Sequence, residues 1–187
     1  KAEKKGLAPL SLKKTGKKDR IKPDIIGKRL YIGLDIGSIS TNIVALTEEG
    51  ETAARRYIFT TGKPLSAVSR GLREIGDEIA GAVISGVGIT GSGRYLIGEV
   101  VGADLIKDEI TAQAAAAVHI EPGVDTVIEI GGQDAKYIQI RNGVVTDFEM
   151  NKACAAGTGS FLEEQAERLG LSIKEDFGRL ALESKYP

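Results

Sequence analysis

Residues 30–50 read LYIGLDIGSISTNIVALTEEG, in which two apolar runs flank a short turn of glycine and serine. The first run contains Asp35 near its end, and the second is rich in the β-branched residues typical of strands. Glu49-Gly50 then predicts a hairpin turn that leads into a third strand over residues 51–60. This stretch therefore predicts three consecutive strands joined by tight turns.

The same pattern returns in residues 126–145, which read TVIEIGGQDAKYIQIRNGVV. In both places an acidic residue, Asp35 or Glu129, stands directly before Ile-Gly, and the strand that follows ends in a hairpin turn. The second hairpin turn is predicted at Asn142-Gly143. We therefore interpret the chain as carrying a duplicated β-hairpin unit.

Amphipathic segments between and after the repeats predict helices. Apolar residues recur at helical spacing after Pro64, and Asp108 is a predicted N-cap. The predicted elements are a helix over residues 64–81, a strand over 83–90, a helix to about 101, a helix over 109–119, a helix from about 159 to 170 and a weaker helix over 173–184. Strands and helices in this order indicate an α/β fold.

The composition excludes several classes of protein. The chain has 187 residues with one Cys, which excludes a disulfide framework and a self-sufficient zinc or iron–sulfur site. No apolar run approaches the roughly 18–20 residues that are needed to span a bilayer. We therefore expect a cytoplasmic protein with no membrane partner.

The first 29 residues differ in charge from the rest of the chain. They hold 11 Lys and Arg against 3 Asp and Glu, whereas the remainder holds 14 basic and 23 acidic residues. This stretch has no steady apolar period and no interleaved aromatic residues. We interpret residues 1–29 as a basic linker, and an arm that binds nucleic acid is the alternative.

The two repeated turns carry residues that suit an anion. Glycine lets backbone N–H groups approach a phosphate closely, and hydroxyl groups add further donors. Carboxylates beside such turns repel phosphate unless a divalent cation such as Mg²⁺ lies between them. The predicted phosphate-binding residues are Gly37, Ser38, Ser40 and Thr41 in the first turn and Gly131, Gly132 and Gln133 in the second. Asp35 and Asp134 are the predicted catalytic carboxylates, and Asp35 and Glu129 are the predicted Mg²⁺ ligands.

These motifs resemble known ATPases. The paired hairpins resemble the superfamily of two-lobed ATPases that includes acetate kinase, sugar kinases, heat-shock chaperones and actin. Three stretches are similar to the BadF/BadG/BcrA/BcrD ATPase family: GITGSGR at 88–94, EIGGQDAK at 129–136 and NKACAAGTG at 151–159. The resemblance implies a ribonuclease H-like α/β fold, with a mixed sheet and flanking helices. It also implies that residues 30–122 form the first lobe and that residues 123–187 form the start of a second lobe, which is truncated.

The resemblance implies an ATP-dependent activator of 2-hydroxyacyl-CoA dehydratases. In that family ATP or ADP binds with Mg²⁺, and a homodimer holds one 4Fe–4S cluster that donates a low-potential electron to a dehydratase or reductase partner. Cys154 matches the first of the two cluster cysteines in each subunit. The second cysteine and the adenosine-binding motif of the family lie further along than Pro187, so we expect this chain to be an inactive fragment of a larger activator with tandem modules.

Two other classes of function stay open on the residues alone. One is a small-molecule kinase of the same superfamily, and the other is a non-catalytic module that only binds nucleotide.

Two basic residues also have open roles. Lys136 either neutralises phosphate charge or is an exposed hairpin lysine, and Arg94 either reaches a phosphate or the cluster or pairs at the surface.

Overall fold

The computed structural model describes residues 25–153 and 157–185, which form two β-sheets and their helices. In chain order the elements are β1 (Arg29–Ile36), β2 (Ser40–Thr47), β3 (Thr52–Phe59), α1 (Pro64–Gly76), β4 (Val83–Thr90), α2 (Arg94–Val101), β5 (Leu105–Ile106), α3 (Glu109–Ile120), β6 (Thr126–Ile130), β7 (Ala135–Arg141), β8 (Val144–Met150), α4 (Gly159–Arg168), a π-helical turn (Ile173–Phe177) and α5 (Gly178–Glu183). Most of the predicted basic linker, residues 1–24, lies outside the described residues. Every helix in the described ranges is too short or too polar to cross a bilayer.

The first sheet is mixed and has the strand order β3-β2-β1-β4-β5. β1 pairs antiparallel with β2 and parallel with β4, so the chain crosses over through α1 to add β4 beside β1. Alternate residues of β1, from Leu30 to Ile36, are buried against α1 and α2. Gly71 lets α1 approach β2 closely, because a Cβ atom there would lie 2.4 Å from Ile43 Cδ1.

The second sheet is an antiparallel meander of β6, β7 and β8. Its buried apolar side chains, Ile138 and Ile140, pack against Ala114 of α3 and the apolar residues around it. The small side chains of α3 permit this close approach, and Asp108 caps the helix as predicted by accepting from Thr111 N–H at 2.8 Å. The chain enters α3 directly after β5 of the first sheet, and α3 packs against the second sheet. The start of α3 therefore lies close to both sheets.

Three parts of the fold differ from the sequence prediction. α1 ends at Gly76 and not near residue 81, because Gly76 and Asp77 are poor helix formers and residues 77–81 form turns instead. The two-residue strand β5 was not predicted, because a segment of that length carries no periodicity. Part of the predicted helix over residues 173–184 is a π-helical turn, and the rest is α5.

Candidate functional site

The two repeated turns are closed by the same backbone hydrogen bond. Gly37 N–H donates to the Ser40 carbonyl at 2.9 Å, and Gly131 N–H donates to the Asp134 carbonyl at 2.8 Å. A Cβ atom on Gly37 would lie 2.9 Å from the Ser40 oxygen, and one on Gly131 would lie 3.0 Å from the Asp134 oxygen. The repeats therefore share a turn geometry that leaves little room for a side chain at its first position.

The two turns face each other across one cleft and are in contact. Ser38 Oγ donates to Gln133 Oε1 at 2.9 Å, and Gly132 packs against Ile39. The cleft has a volume of about 420 Å³. The predicted site residues that line it are Asp35, Gly37, Ser38, Ser40, Glu129, Gly131, Gly132, Gln133 and Asp134. Both repeats thus contribute backbone and side-chain groups to a single space.

Thr41 does not line this cleft, contrary to the sequence expectation. Its side chain is fully buried on the core face of β2, where Thr41 pairs with Ile36 of β1. Thr60 Oγ1 donates to the Gly37 carbonyl at 2.9 Å, so the 3.0 Å bond between the two threonine hydroxyls has Thr41 as its donor. Thr41 therefore supports the first turn from behind and offers no donor to a ligand.

Asp35 lies at the end of β1, where its carboxylate faces other acidic groups. Burial raises the pKa of Asp35, and the negative charge of Glu109 raises it further. A hydrogen bond from Asn42 Nδ2 at 3.4 Å opposes this shift, as does the charge of Lys136, whereas Glu129 adds to it. The Asp35 carboxylate is thus electrostatically unfavourable without a cation, which is the condition in which a carboxylate gains most from binding one.

Glu109 is a cleft residue that sequence reasoning missed. It is the first residue of α3, directly after the Asp108 cap, and it lines the cleft with Asp35 and Glu129. An acidic residue in the first turn of a helix is common because it complements the helix dipole, so nothing in the pattern marks Glu109 as a site residue. Its position depends on where α3 enters between the sheets, which only the structure shows.

Lys136 is buried, so it is not an exposed hairpin lysine. Its side chain is 4% exposed, and Nζ lies 3.1 Å from Glu109 Oε2 and 3.5 Å from Glu129 Oε1. Burial lowers the pKa of Lys136, but the hydrogen bond to Glu109 and the charges of both glutamates outweigh burial and raise it overall. The ammonium group is therefore engaged by carboxylates that belong to α3 and β6.

The residues of the cleft suit a magnesium ion that arrives with phosphate. Within the described ranges, no three Asp, Glu, His or Cys side chains are placed to hold a metal ion by themselves. Mg²⁺ seldom needs such a cage, because it keeps several waters and is bound through one or two carboxylates and substrate phosphates. Asp35, Glu129 and Asp134 supply carboxylates at the cleft, and the glycine turns beside them leave room for phosphate oxygens.

The second turn is also bonded to the start of α4. Gly159 N–H donates to the Gly131 carbonyl at 2.8 Å, and Ser160 N–H donates to the Gly132 carbonyl at 2.9 Å. Thr158 Oγ1 donates to the same Gly132 carbonyl at 3.0 Å. The N-terminus of α4 and the second turn therefore hold each other in place.

Cys154 lies outside the described residues, but the chain on both sides of it is bonded to the second hairpin. On the N-terminal side, Asn151 accepts from Ala135 N–H at 2.9 Å and donates to the Ala153 carbonyl at 2.6 Å. On the C-terminal side, Thr158 is bonded to the second turn. The described residues on both sides of Cys154 are therefore bonded to β7 and to the second turn.

Arg94 makes local contacts only among the described residues. Nη1 donates to the Gly91 carbonyl at 3.0 Å, and the guanidinium lies 4.7 Å from the ring centroid of Tyr95. The same glycine-rich turn is fixed to β1, because Gly93 N–H donates to the Ile36 carbonyl at 3.0 Å. Arg94 thus stabilises the start of α2 and does not line the cleft.

Comparison with known proteins adds to this geometry. A family profile described as the BadF/BadG/BcrA/BcrD ATPase family matches residues 32–186. A protein of Methanocaldococcus jannaschii, named uncharacterized protein MJ0800, is 35% identical over 163 residues, which cover 84% of this chain and 38% of that protein. The (R)-2-hydroxyglutaryl-CoA dehydratase activating ATPase of Acidaminococcus fermentans is 34% identical over 146 residues, which cover 77% of this chain and 55% of that protein.

A solved structure is also similar. The activator of the 2-hydroxyisocaproyl-CoA dehydratase from Clostridium difficile, with bound ADPNP, superposes with a TM-score of 0.70 at 35% identity, covering 78% of this chain and 54% of that chain. The chain thus spans about half or less of the length of these relatives. The predicted fold class, the α/β ATPase fold shared with actin and sugar kinases, is confirmed.

Proposed function

Because this chain belongs to the BadF/BadG/BcrA/BcrD ATPase family, we propose that it is the phosphate-binding part of an ATP-dependent activator in the cytoplasm. The complete activator delivers a low-potential electron from a 4Fe–4S cluster to a 2-hydroxyacyl-CoA dehydratase or a related reductase. Two relatives named as dehydratase activators support the class of partner. The length of those relatives supports the proposal that this chain is a fragment, inactive alone, that spans the first lobe and the start of the second.

The observation that carries the proposal is the single cleft between two matched glycine turns. The turns would bind the phosphates of Mg-ATP or Mg-ADP from opposite sides, with Asp35, Glu129 and Asp134 close to the ion. Ser38 and Gln133 already bond across the cleft, so phosphate that enters between the turns changes contacts on both sides. When ATP is bound, attack of water on its γ-phosphate would break the bond to the β-phosphate and give ADP and phosphate, and this hydrolysis would supply the free energy.

The described contacts provide a route from the cleft toward Cys154. The second turn is bonded to the start of α4, and Asn151 fixes the other side of the cysteine to β7. A nucleotide that prefers one arrangement of the two turns would shift the population toward that arrangement, and α4 would follow. We propose that Cys154 is a cluster ligand at a homodimer interface, where each subunit of the complete activator supplies two of the four thiolates.

Iron content tests the proposal against its alternatives. The natural protein that contains this chain is purified without oxygen, and its iron, colour and Mg-ATPase activity are measured. Roughly four iron atoms per dimer, lost on Cys154→Ala with nucleotide binding retained, are expected. A colourless protein that transfers phosphate to a small molecule would identify a kinase, and a colourless protein that binds ATP without turnover would identify a non-catalytic module.

A further inference from the structure

Lys136 connects parts of the molecule that are far apart in the chain. It is the second residue of β7 in the second sheet, and its Nζ contacts Glu109 of α3 at 3.1 Å and Glu129 of β6 at 3.5 Å. Its side chain is 4% exposed, whereas those of Glu109 and Glu129 are 31% and 29% exposed. The lysine therefore approaches the cleft from the protein interior and bridges two carboxylates that face the cleft.

The charge of this group is unbalanced. The carboxylate of Asp35 is repelled by those of Glu109 and Glu129, and the single ammonium of Lys136 contacts both glutamates. A buried lysine without partners would be strongly destabilising, and carboxylates crowded together without a cation repel each other. The lysine and the carboxylates thus compensate one another, and a net negative charge still remains in the cleft.

We infer that Lys136 is a positioning residue that acts as a built-in counter-cation: it joins Glu109 of α3 to Glu129 of β6 and competes with an incoming divalent cation for these carboxylates. The inference rests on the proposed function in one respect, namely that a divalent cation enters this cleft. It goes further by naming the group that occupies the carboxylates before the cation does.

Lys136 also attaches α3 to the second sheet. While Lys136 bridges the two glutamates, α3 is held to the second sheet through its first residue. A divalent cation that engages Glu109 weakens the hold of Lys136 on α3, because this glutamate is then shared between two positive charges. Cation entry is then linked to the attachment of α3, the helix that joins the two sheets.

The test compares Lys136→Met with the unchanged chain, using MgCl2 without nucleotide. Removal of the ammonium leaves three uncompensated carboxylates, so the variant is expected to bind Mg²⁺ on the order of tenfold more tightly by calorimetry. Its melting temperature should fall in EDTA and recover in MgCl2 much more than that of the unchanged chain. NaCl at matched ionic strength controls for simple screening.

Lys28→Met is the matched control, because Lys28 is exposed and stands just before β1, whereas Asp35 lies near the other end of that strand. The same change of charge at that position should leave Mg²⁺ affinity within about twofold of the unchanged chain. Equal or weaker Mg²⁺ binding by Lys136→Met would overturn the inference, and so would an absence of Mg²⁺ binding in every variant.

A second measurement needs no variant and covers the case in which Lys136→Met fails to fold. Amine-reactive labelling of the unchanged chain, read by mass spectrometry, should modify Lys136 slowly without Mg²⁺ and several-fold faster with it. Lys28 should react at the same rate in both conditions. Labelling of Lys136 that stays constant or slows with Mg²⁺ contradicts competition. If the chain binds Mg-ATP but fails these tests, the proposed function stands and this inference does not.

Discussion

The contact between the two turns can be broken and restored by substitution. Gly132 has no positive φ that would exclude alanine, so its replacement tests space alone. A Cβ atom at Gly132 would lie 2.2 Å from Ile39 Cδ1, 3.1 Å from Cγ1 and 3.5 Å from Cβ. Because carbon atoms make favourable contact at about 3.5–4.0 Å, only the two outer atoms of Ile39 obstruct the new methyl group.

The distances predict a graded series for Gly132→Ala. With Ile39 present, overpacking should lower the free energy of unfolding by about 1–3 kcal/mol. Ile39→Val removes Cδ1 and should relieve most of this loss, and Ile39→Ala leaves only the Cβ atom in ordinary contact. In that last background Gly132→Ala should be neutral or stabilising by about 0.4–1 kcal/mol, because alanine restricts the unfolded chain.

Urea unfolding followed by circular dichroism measures the series, since the chain has no Trp for fluorescence. The double-mutant cycle isolates the interaction between the two turns from the separate cost of each substitution. A cost of Gly132→Ala that is the same in all three Ile39 backgrounds would show that the turns do not touch in solution. The reasoning that places both turns in one cleft would then be wrong.

Three further predictions concern single side chains. Asp35→Asn should raise the free energy of unfolding at neutral pH and weaken Mg-ATP binding. The gain in stability should shrink as the pH falls through the raised pKa of Asp35 in the folded chain. Melting at several pH values measures the stability and calorimetry measures the affinity, and a less stable variant would contradict the cause assigned to that pKa. Thr41→Val should lower the free energy of unfolding by about 0.5–1.5 kcal/mol, measured by urea unfolding, and leave nucleotide affinity unchanged. A loss of nucleotide affinity would show that Thr41 contacts the nucleotide. Cys154→Ala should abolish the cluster of the complete activator without loss of nucleotide binding, and loss of both would indicate a structural role.

Much of the fold could be predicted because β1, β2 and β7 alternate strictly between buried and less buried residues. β1 buries every second residue, and the acid before Ile-Gly marks the same turn in both repeats. The same alternation places Thr41 on the buried face of β2, together with Ile43. It also places Lys136 on the buried face of β7, together with Ile138. In both cases the chemistry of the side chain was given more weight than its position in the strand.

Other features depend on tertiary structure and could not be predicted. Glu109 becomes a cleft residue only because α3 begins between the two sheets. The docking of α4 on the second turn joins residues 131–132 to 158–160 through backbone atoms, which a pattern of side chains does not reveal. Sequence reasoning therefore found the turns and missed the groups that hold them in place.

The most direct test of the account is a nuclear magnetic resonance titration of the nitrogen-15-labelled chain with a non-hydrolysable Mg-ATP analogue. The account predicts that the amide signals of Gly37 and Ser38 and those of Gly131 and Gly132 shift together with one dissociation constant. The hairpin glycines Gly50 and Gly143, in the β2–β3 and β7–β8 turns, should not respond. Shifts in one turn alone, or two different dissociation constants, would contradict the claim that both turns bind one nucleotide.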